Sequence, residues 1–391
     1  MIRRFIIPAV GVALVTPVAL VTPIALVTPI ASAASAAPAV PAAAAAAQGA
    51  TRAVPATAYV ANLDSGNVTP IRTATNQADH AIKVGGGPAF IAITPDGKTA
   101  YVASEVPGTV TPIRTATNVA GHAIKVGHFP FAIAITPDGA AAYVVNDNFA
   151  GTVTPIRTAT NVAGHAIKVG RNPVAIAITP DGSTAYVVND DQVGSVTPVN
   201  TATGKAGPAI RVGSFPQAIA ITPDGSTAYV VNNFAGTVTP ISTATNKAAN
   251  AIKVGQQPVA IAITPDGGTA YIVNSRSGDV TPIRTATNKA ANAIKVGSGP
   301  GAIAITPDGS TAYVANSGSG TVTPIRTATN VAGPAIKAGS EPFAIAFTPD
   351  GAAAYVTNAL SDTVTPIRTA TNKAGKAIKV GSGPGAIAIT P

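Results

Sequence analysis

Residues 130–170, with the sequence PFAIAITPDGAAAYVVNDNFAGTVTPIRTATNVAGHAIKVG, form the unit from which most of this chain is built. Copies of the unit fill residues 58–391. One tyrosine marks each copy, and successive tyrosines are 42 or 43 residues apart: Tyr59, Tyr101, Tyr143, Tyr186, Tyr229, Tyr271, Tyr313 and Tyr355. A constant period of this length indicates a repeat architecture, so the unit decides the fold.

Each unit predicts four short strands and no helix. In the quoted copy, residues 132–136 alternate small and branched side chains, which is typical of a strand, and 142–146 are β-branched and aromatic. Residues 152–158 and 166–169 are the third and fourth strands. Turns at 137–139, 147–151 and 161–164 separate the four. We name these strands a, b, c and d, from the inside of the molecule outward.

Four antiparallel strands in every ~40–45 residues predict an all-β fold, a closed β-propeller of four-stranded blades. An open solenoid is the alternative architecture. The repeats begin at strand b near Tyr59 and end after strand a at residues 386–391. Each of the four strands occurs eight times, so every blade is complete only when the C-terminal strand a pairs with the N-terminal strands b, c and d. This pairing closes the ring and hides two sheet edges. We therefore predict eight blades; seven blades with a spare unit is the alternative.

Three motifs carry a resemblance to a known family. Tyr355-Val356-Thr357-Asn358 spells YVTN, TPDG turns recur between strands a and b, and TATN segments recur between strands c and d. Over residues 57–391 the chain resembles the YVTN-repeat, or surface-layer-type, β-propellers. The resemblance implies a secreted or surface-associated propeller, and that family as a whole carries no single activity. The chain departs from this family at the end of strand c, which reads Pro-Ile-Arg in most copies. Because proline removes a ladder donor, we expect a bulge or a broken ladder bond near Pro155 and its equivalents.

The sequence of the amino terminus predicts that the protein is located outside the cytoplasm. Residues 1–33 combine Arg3 and Arg4 with a long apolar run and small-residue cleavage candidates, as in a signal peptide. The run is long enough for a retained membrane anchor, which is the alternative and the one condition under which we expect membrane association. Residues 34–56, rich in Ala and Pro, are interpreted as a disordered linker, and 57–391 as the propeller. The chain has no cysteine.

Candidate catalytic residues are scarce. His80, His122 and His165 occupy equivalent turn positions, which are solvated and one blade apart, and we find no pattern of a catalytic triad or a phosphate loop. The TPDG aspartates are expected to bond their own turns. We therefore predict no catalytic residue, no metal and no cofactor. The alternative is a propeller enzyme that resembles a lactonase, a lyase or a quinoprotein.

Strand d carries one cation in each copy. Since strand d is predicted to be outermost, these side chains should ring the rim: Lys83, Lys125, Lys168, Arg211, Lys253, Lys295, Lys337 and Lys379. A basic rim favours an anionic cell-wall polymer as a partner. Protection of an exposed strand edge against pairing is the alternative explanation. Nucleic acid is not expected, because basic and aromatic residues are not interleaved.

The copies differ most in the d–a and b–c loops, which should emerge on one face of the ring. We call this the loop face. Loops on a rigid scaffold are common binding sites. The bulky and charged loop residues fall in blades 3 to 5 and at the start of blade 6, and we predict that they bind a partner: His128, Phe129, Phe149, Arg171, Asn172, Asp190, Asp191, Phe215, Phe234, Gln256 and Gln257.

These observations favour a secreted or cell-surface, non-enzymatic binding scaffold. We expect a monomeric ring that contacts an unknown macromolecule through its loop face. A structural component of the cell envelope is the alternative function.

Overall fold

The computed structural model describes residues 56–147 and 151–391. Within these residues the chain is all-β, and its strands form eight antiparallel sheets, the blades of a β-propeller. No helix in the described part is long and apolar enough to cross a membrane. The prediction of eight blades is confirmed. The predicted signal peptide and all of the predicted linker except Ala56 lie outside the described residues, as does Phe149.

The strands recur in the same order in every blade. From blade 1 to blade 8, the innermost strands a are Pro384–Ile389, Gly86–Ile93, Pro130–Ile135, Pro173–Ile178, Pro216–Ile221, Pro258–Ile263, Pro300–Ile305 and Pro342–Phe347. Strands b are Thr57–Asn62, Thr99–Val106, Ala141–Asn146, Thr184–Asn189, Thr227–Asn232, Thr269–Asn274, Thr311–Asn316 and Ala353–Asn358. Strands c are Asn67–Arg72, Thr109–Arg114, Thr152–Arg157, Ser195–Asn200, Thr237–Ser242, Asp279–Arg284, Thr321–Arg326 and Thr363–Arg368.

The outermost strand d differs from the prediction, because it is split into two pieces and starts earlier. The first pieces are Gln77–Ala78, Val119–Ala120, Val162–Ala163, Lys205–Ala206, Lys247–Ala248, Lys289–Ala290, Val331–Ala332 and Lys373–Ala374. The second pieces are Ile82–Lys83, Ile124–Lys125, Ile167–Lys168, Ile210–Arg211, Ile252–Lys253, Ile294–Lys295, Ile336–Lys337 and Ile378–Lys379.

Proline in strand c is the reason for the split. In blade 3, Ile156 pairs with Ala163 and Val153 pairs with Ile167, but the ladder is interrupted between them. Pro155 accepts a 2.7 Å hydrogen bond from the amide of Gly164 and has no N–H to return. Strand d therefore has one extra residue opposite this part of strand c, while the six-residue pairing of strands b and c stays regular. The expected broken ladder bond near Pro155 is confirmed.

The C-terminal strand closes the ring as predicted. Val60 pairs with Ile387 and Tyr59 pairs with Ala388, in an antiparallel ladder between the two ends of the repeat region. Ile387 and Val60 are fully buried. Blade 1 is thus assembled from one C-terminal and three N-terminal strand positions, and the edges of both terminal segments are paired.

The core lies between neighbouring blades. At the joint of blades 4 and 5, for example, Ala175, Ala177 and Tyr186 of one blade pack against Ile219 and Val230 of the next. The alanines of strand a face one neighbouring blade, and its isoleucines face the other. Each blade is held by its neighbours, so closure of the ring completes the core.

The repeated motifs are structural. The eight tyrosines are buried, and at seven joints the hydroxyl donates to the asparagine of a TATN turn in the next blade, as in the 2.6 Å bond from Tyr229 to Asn288. Each such asparagine has a positive φ. In the TPDG turn of blade 3, Asp138 accepts bonds from the Thr136 hydroxyl and the Ala140 amide, which hold the pKa of Asp138 below its usual value. This confirms the expectation that the TPDG aspartates bond their own turns.

Candidate functional site

The d–a and b–c loops of one blade meet on one face, as predicted, and a backbone hydrogen bond joins them. In blade 3 the amide of Asp147 donates to the carbonyl of Phe129, and in blade 5 the amide of Asn233 donates to the carbonyl of Phe215, both at 2.9 Å. The same bond recurs in blade 4 between Asp190 and Asn172. These bonds tie the backbones of the two loops together in each of these blades.

The bonded carbonyl belongs to a residue in the left-handed region. Blades 1, 2 and 7 place Gly383, Gly87 and Gly299 at this position, with φ near +60°. Blades 3 and 5 place Phe129 and Phe215 there, with φ of 49° and 50°. A bulky residue at positive φ is uncommon and costs ~1–2 kcal/mol relative to glycine. Since glycine satisfies the fold elsewhere in the same ring, the strain at these two phenylalanines points to function.

The structure brings two of the predicted phenylalanines together. Phe215 and Phe234 of blade 5 contact each other edge to face, with ring centroids 5.8 Å apart. Their residues remain 38% and 79% exposed, so the rings are not buried in their own loops. Phe129 is 54% exposed on blade 3 and makes no described ring contact with this pair. Phe149 is not described, so its prediction is untested.

Two aspartates border the aromatic pair. The amide of Phe215 donates a 2.9 Å hydrogen bond to the carbonyl of Asp191. The side chain of Gln217, which is 3% exposed on strand a of blade 5, donates at 2.9 Å to Oδ2 of Asp190. These contacts join the b–c loop of blade 4 to strand a and the loops of blade 5. We call Asp190, Asp191, Phe215, Gln217 and Phe234 the blade 4–5 patch.

Asp190 titrates in an unusual range. Burial raises the pKa of Asp190 to about 6, the hydrogen bond from Gln217 lowers it, and the charges of Asp147 and Asp191 raise it. Its Oδ1 atom is buried and has no hydrogen-bond partner among the described residues. A carboxyl group that is partly desolvated and incompletely paired near the protein surface is a candidate for contact with a ligand.

Two further carboxyl groups continue the acidic surface toward blade 2. Burial raises the pKa of Asp147, which follows strand b of blade 3. Burial, and then the charge of Asp147, raises the pKa of Glu105 in blade 2. Asp147 thus influences both Glu105 and Asp190, so one carboxyl group from each of three neighbouring blades forms an acidic arc. Within the described residues no three acidic or histidine side chains are placed to hold a metal ion.

The remaining predicted binding residues lie on the loop face but outside the patch. His128, Arg171 and Gln256 are exposed. Asn172 and Gln257 take the left-handed position of their blades, with φ of 47° and 50°. The Asn172 side chain donates to the carbonyl of Asp190 at 3.4 Å. Their binding role remains a prediction.

The rim cations are exposed, as the outer position of strand d requires. Lys295 differs from the others because it forms a 3.1 Å ion pair with Asp279, whose side chain is 8% exposed. The exposed positions of His80, His122 and His165 agree with the interpretation as solvated turn residues.

Gln217 is the site residue that sequence analysis missed. The equivalent residue is apolar or glycine in the other seven copies: Ala89, Phe131, Val174, Val259, Gly301, Phe343 and Gly385. This single glutamine distinguishes the copy in blade 5, but it lies in a strand, outside the loops in which the copies differ most.

A second concave surface lies between blades 7 and 8, on the side of the loop face. It is an open groove with a volume of about 900 Å³. Its lining includes Ser317, Ser340, Ser361, Glu341 and Lys337. The groove offers hydroxyl groups and one charge of each sign, in contrast to the aromatic and acidic patch on blades 4 and 5.

The chain is similar to other propellers. The family described as "Lactonase, 7-bladed beta-propeller" matches residues 199–381, slightly less than half of the chain. This match begins after Asp190 and Asp191 and includes the groove between blades 7 and 8. The structure itself has eight blades, one more than that description. No curated protein matches the chain.

Solved structures share the fold at low identity. Hydrazine synthase of Kuenenia stuttgartiensis is 24% identical, with a TM-score of 0.60, over 70% of this chain and 92% of that chain. The dihydro-heme d1 dehydrogenase NirN in complex with DHE is 14% identical, with a TM-score of 0.73, over 85% of this chain and 74% of that chain. Apo AztD from Citrobacter koseri is 15% identical, with a TM-score of 0.64, over 85% and 97%. These similarities support the propeller fold.

Proposed function

We propose that this protein is a binding scaffold, a rigid propeller that contacts a macromolecule through the blade 4–5 patch. The observation that carries the proposal is the exposed contact between Phe215 and Phe234. An exposed apolar patch rimmed by polar groups is a common mark of a partner site, and aromatic residues often dominate the binding energy of such sites. The strained backbone of Phe215, at a position where three other blades use glycine, supports the same interpretation.

The test compares two exposed apolar side chains. Phe234→Ala removes a ring of the patch, and Val331→Ala removes a side chain that is 56% exposed on the outer strand of blade 7. Tagged protein is cross-linked on the surface of the cells that produce it, and captured partners are identified. We expect the wild type and Val331→Ala to capture the same partner and Phe234→Ala to lose it. Equal capture by all three proteins would overturn the proposal.

A location outside the cytoplasm is also part of the proposal. A signal peptide at residues 1–33 places the ring outside the cytoplasm, on the cell surface or in the medium, and the resemblance to YVTN-repeat propellers supports this location. Mass spectrometry of the amino terminus of the exported protein tests it. A mature terminus after residue 33 supports secretion, and an intact terminus in the membrane fraction supports a retained anchor.

The basic rim provides a separate contact. Its exposed cations complement an anionic cell-wall polymer, whereas most of the charged side chains on the loop face are carboxylates. The loops contain seven carboxylates, Asp64, Glu105, Asp147, Asp190, Asp191, Glu341 and Asp362, and two guanidinium groups, Arg171 and Arg276. The two partner classes that the sequence suggested are therefore assigned to two surfaces, the polymer to the rim and the macromolecule to the loop face.

Hydrolysis of a lactone is a second candidate function. It rests on the match of residues 199–381 to the lactonase family and on the groove within that part of the chain. Glu341 is the carboxylate in the groove, beside the hydroxyls of Ser317 and Ser340. A panel of lactones offered to the wild type and to Glu341→Gln tests it. Turnover that the substitution abolishes would support hydrolysis, and absence of turnover in both proteins would contradict it.

A further inference from the structure

The blade 4–5 patch combines aromatic surface with carboxylates that are not neutralised. The charges of Asp147 and Asp191 both act on Asp190 and raise its pKa. The ion pairs among the described residues involve other acids, namely Asp79, Asp96 and Asp279. Oδ1 of Asp190 lacks a partner among the described residues. No ion pair among the described residues therefore neutralises Asp190 or Asp191, and both residues are only half-buried.

Hydrogen bonds join the residues that carry the carboxylates to the segment that carries the Phe215 ring. Phe215 bonds Asp191 directly through the backbone, and Gln217, two residues later, bonds Asp190. Phe234 packs against Phe215 edge to face and is 79% exposed. Lysine and arginine side chains carry an apolar stem and a charged head. The stem would cover the rings, with a further cation–π contribution, while the head meets the carboxylates.

We infer that the occupant of the blade 4–5 patch is a protein segment that presents lysine or arginine side chains. This inference rests on the proposed binding function and adds the chemistry of the partner. Charge complementarity carries it, because the loops hold seven carboxylates against two guanidinium groups. An anionic partner would meet repulsion at this face, and a bound metal ion would need a set of ligands that the described residues do not provide.

The experiment uses three synthetic decapeptides that alternate alanine with lysine, glutamine or glutamate. Their binding to the intact protein is measured by fluorescence anisotropy at low and physiological salt. The double variant Asp190→Asn/Asp191→Asn removes the two charges of the patch. The control, Asp64→Asn/Glu341→Gln, removes two charges from the same face in blades 1 and 8, so its net charge is identical. Phe234→Ala tests the aromatic part.

We expect the lysine peptide to bind best, and to lose about tenfold or more in affinity with the patch variant and with Phe234→Ala. The control should change its affinity by less than twofold. Equal losses in patch variant and control would overturn the inference, because they would show general attraction to the face. Binding of the glutamine or glutamate peptide that depends on Phe234 would overturn the cationic partner but keep the proposed binding function.

Two further outcomes are also decisive. If no peptide binds in a manner that depends on Phe234 or on Asp190, both the inference and the proposed function fail at this patch. If sedimentation shows that the wild type associates with itself and that Phe234→Ala abolishes the association, the occupant is a second copy. That result would overturn a separate partner segment.

Discussion

The hydroxyl of Tyr355 in blade 8 donates a 2.6 Å hydrogen bond to Oδ1 of Asn76 in blade 1, across a separation of 279 residues. The same bond links the other neighbouring blades, except at the joint of blades 3 and 4. There Gly204 replaces the asparagine, and Tyr143 donates at 2.8 Å to the carbonyl of Thr201 alone. This joint therefore lacks one of the bonds that hold the ring together.

Restoring the asparagine should stabilise the protein. Gly204 has a φ of 66°, which asparagine tolerates, and a Cβ there would meet only Ile167 at 3.7 Å. We expect Gly204→Asn to raise the free energy of unfolding by about 1 kcal/mol, the net value of a typical hydrogen bond. Gly204→Ala is the control, because it brings the strain without the acceptor and should destabilise. Denaturant unfolding measures both, and a loss of stability in Gly204→Asn would contradict the prediction.

Removal of the closing strand should disrupt the ring. Deletion of residues 383–391 takes Ile387 away from Val60 and leaves an apolar, unpaired edge in blade 1. We expect loss of soluble monomer or a large fall in melting temperature, measured by gel filtration and calorimetry. Deletion of Pro391 alone is the control. Residues 381–391 are identical in sequence to residues 297–307, so a synthetic GSGPGAIAITP peptide should restore the truncated ring. An unchanged melt of the truncated protein would disprove closure by this strand.

Asp190→Asn should stabilise the protein near neutral pH. The folded pKa of about 6 lies above the ordinary value of 3.8, so the ionised carboxylate opposes folding, and stability falls as pH rises from about 4 through 6. Asparagine keeps an acceptor for Gln217. The nearby charges are Asp147 and Asp191. We expect a gain of about 1–2 kcal/mol at pH 7.5, below the ~3 kcal/mol of a two-unit shift because the site is partly solvated, and little gain at pH 4.

The control for this pH dependence is Asp138→Asn. Hydrogen bonds from Thr136 and Ala140 lower the pKa of Asp138, so its contribution to stability is present above pH 4 and is lost as pH falls through the folded pKa. This substitution should destabilise at neutral pH and matter less in acid. Melting temperatures of both variants across the pH range check the two signs. Parallel pH profiles would show that the environment of Asp190 is misassigned.

Replacement of Phe215 should separate stability from binding. Phe215→Gly removes the ring and relieves the left-handed backbone, whereas Phe215→Ala removes the ring and keeps the strain. We expect the glycine variant to be the more stable of the two by about 1 kcal/mol. Both should bind the lysine peptide equally weakly. Denaturant unfolding measures the stability of both variants, and fluorescence anisotropy measures their affinity for the lysine peptide. A glycine variant less stable than the alanine variant would contradict the inferred backbone strain at Phe215.

Neutralisation of the rim should weaken attraction to polyanions without unfolding the ring. Exposed charges contribute little to stability, so Lys125, Lys168, Lys253 and Lys337 can be changed to glutamine together. Lys295 is retained because it pairs with the buried Asp279. Binding to dextran sulfate should fall, with a shallower dependence on salt. The control is the patch variant Asp190→Asn/Asp191→Asn. Binding to the polyanion with an unchanged salt dependence would show that the rim is not the contact.

The repeat period, the alternation within strands and the order of strands at the two termini were sufficient to predict the propeller, its eight blades and its closure. These features are local or periodic, and a single copy repeated around an axis admits few arrangements. The loop face was also predictable, because the direction of antiparallel strands alternates and successive connections therefore lie on opposite faces of the ring. The exposed rim cations followed from the outer position of strand d.

Only the tertiary structure shows which residues from different parts of the chain contact one another. The TATN asparagines were interpreted as turn residues, but they accept the tyrosine hydroxyl of another blade. The splitting of strand d depends on which side of strand c the missing proline N–H faces. Gln217 and Asp190 are 27 residues apart, and Phe215 and Phe234 belong to different loops. Hydrogen bonds and ring contacts of this kind act through space between residues that are far apart in the chain, so the local strand and turn patterns do not specify them.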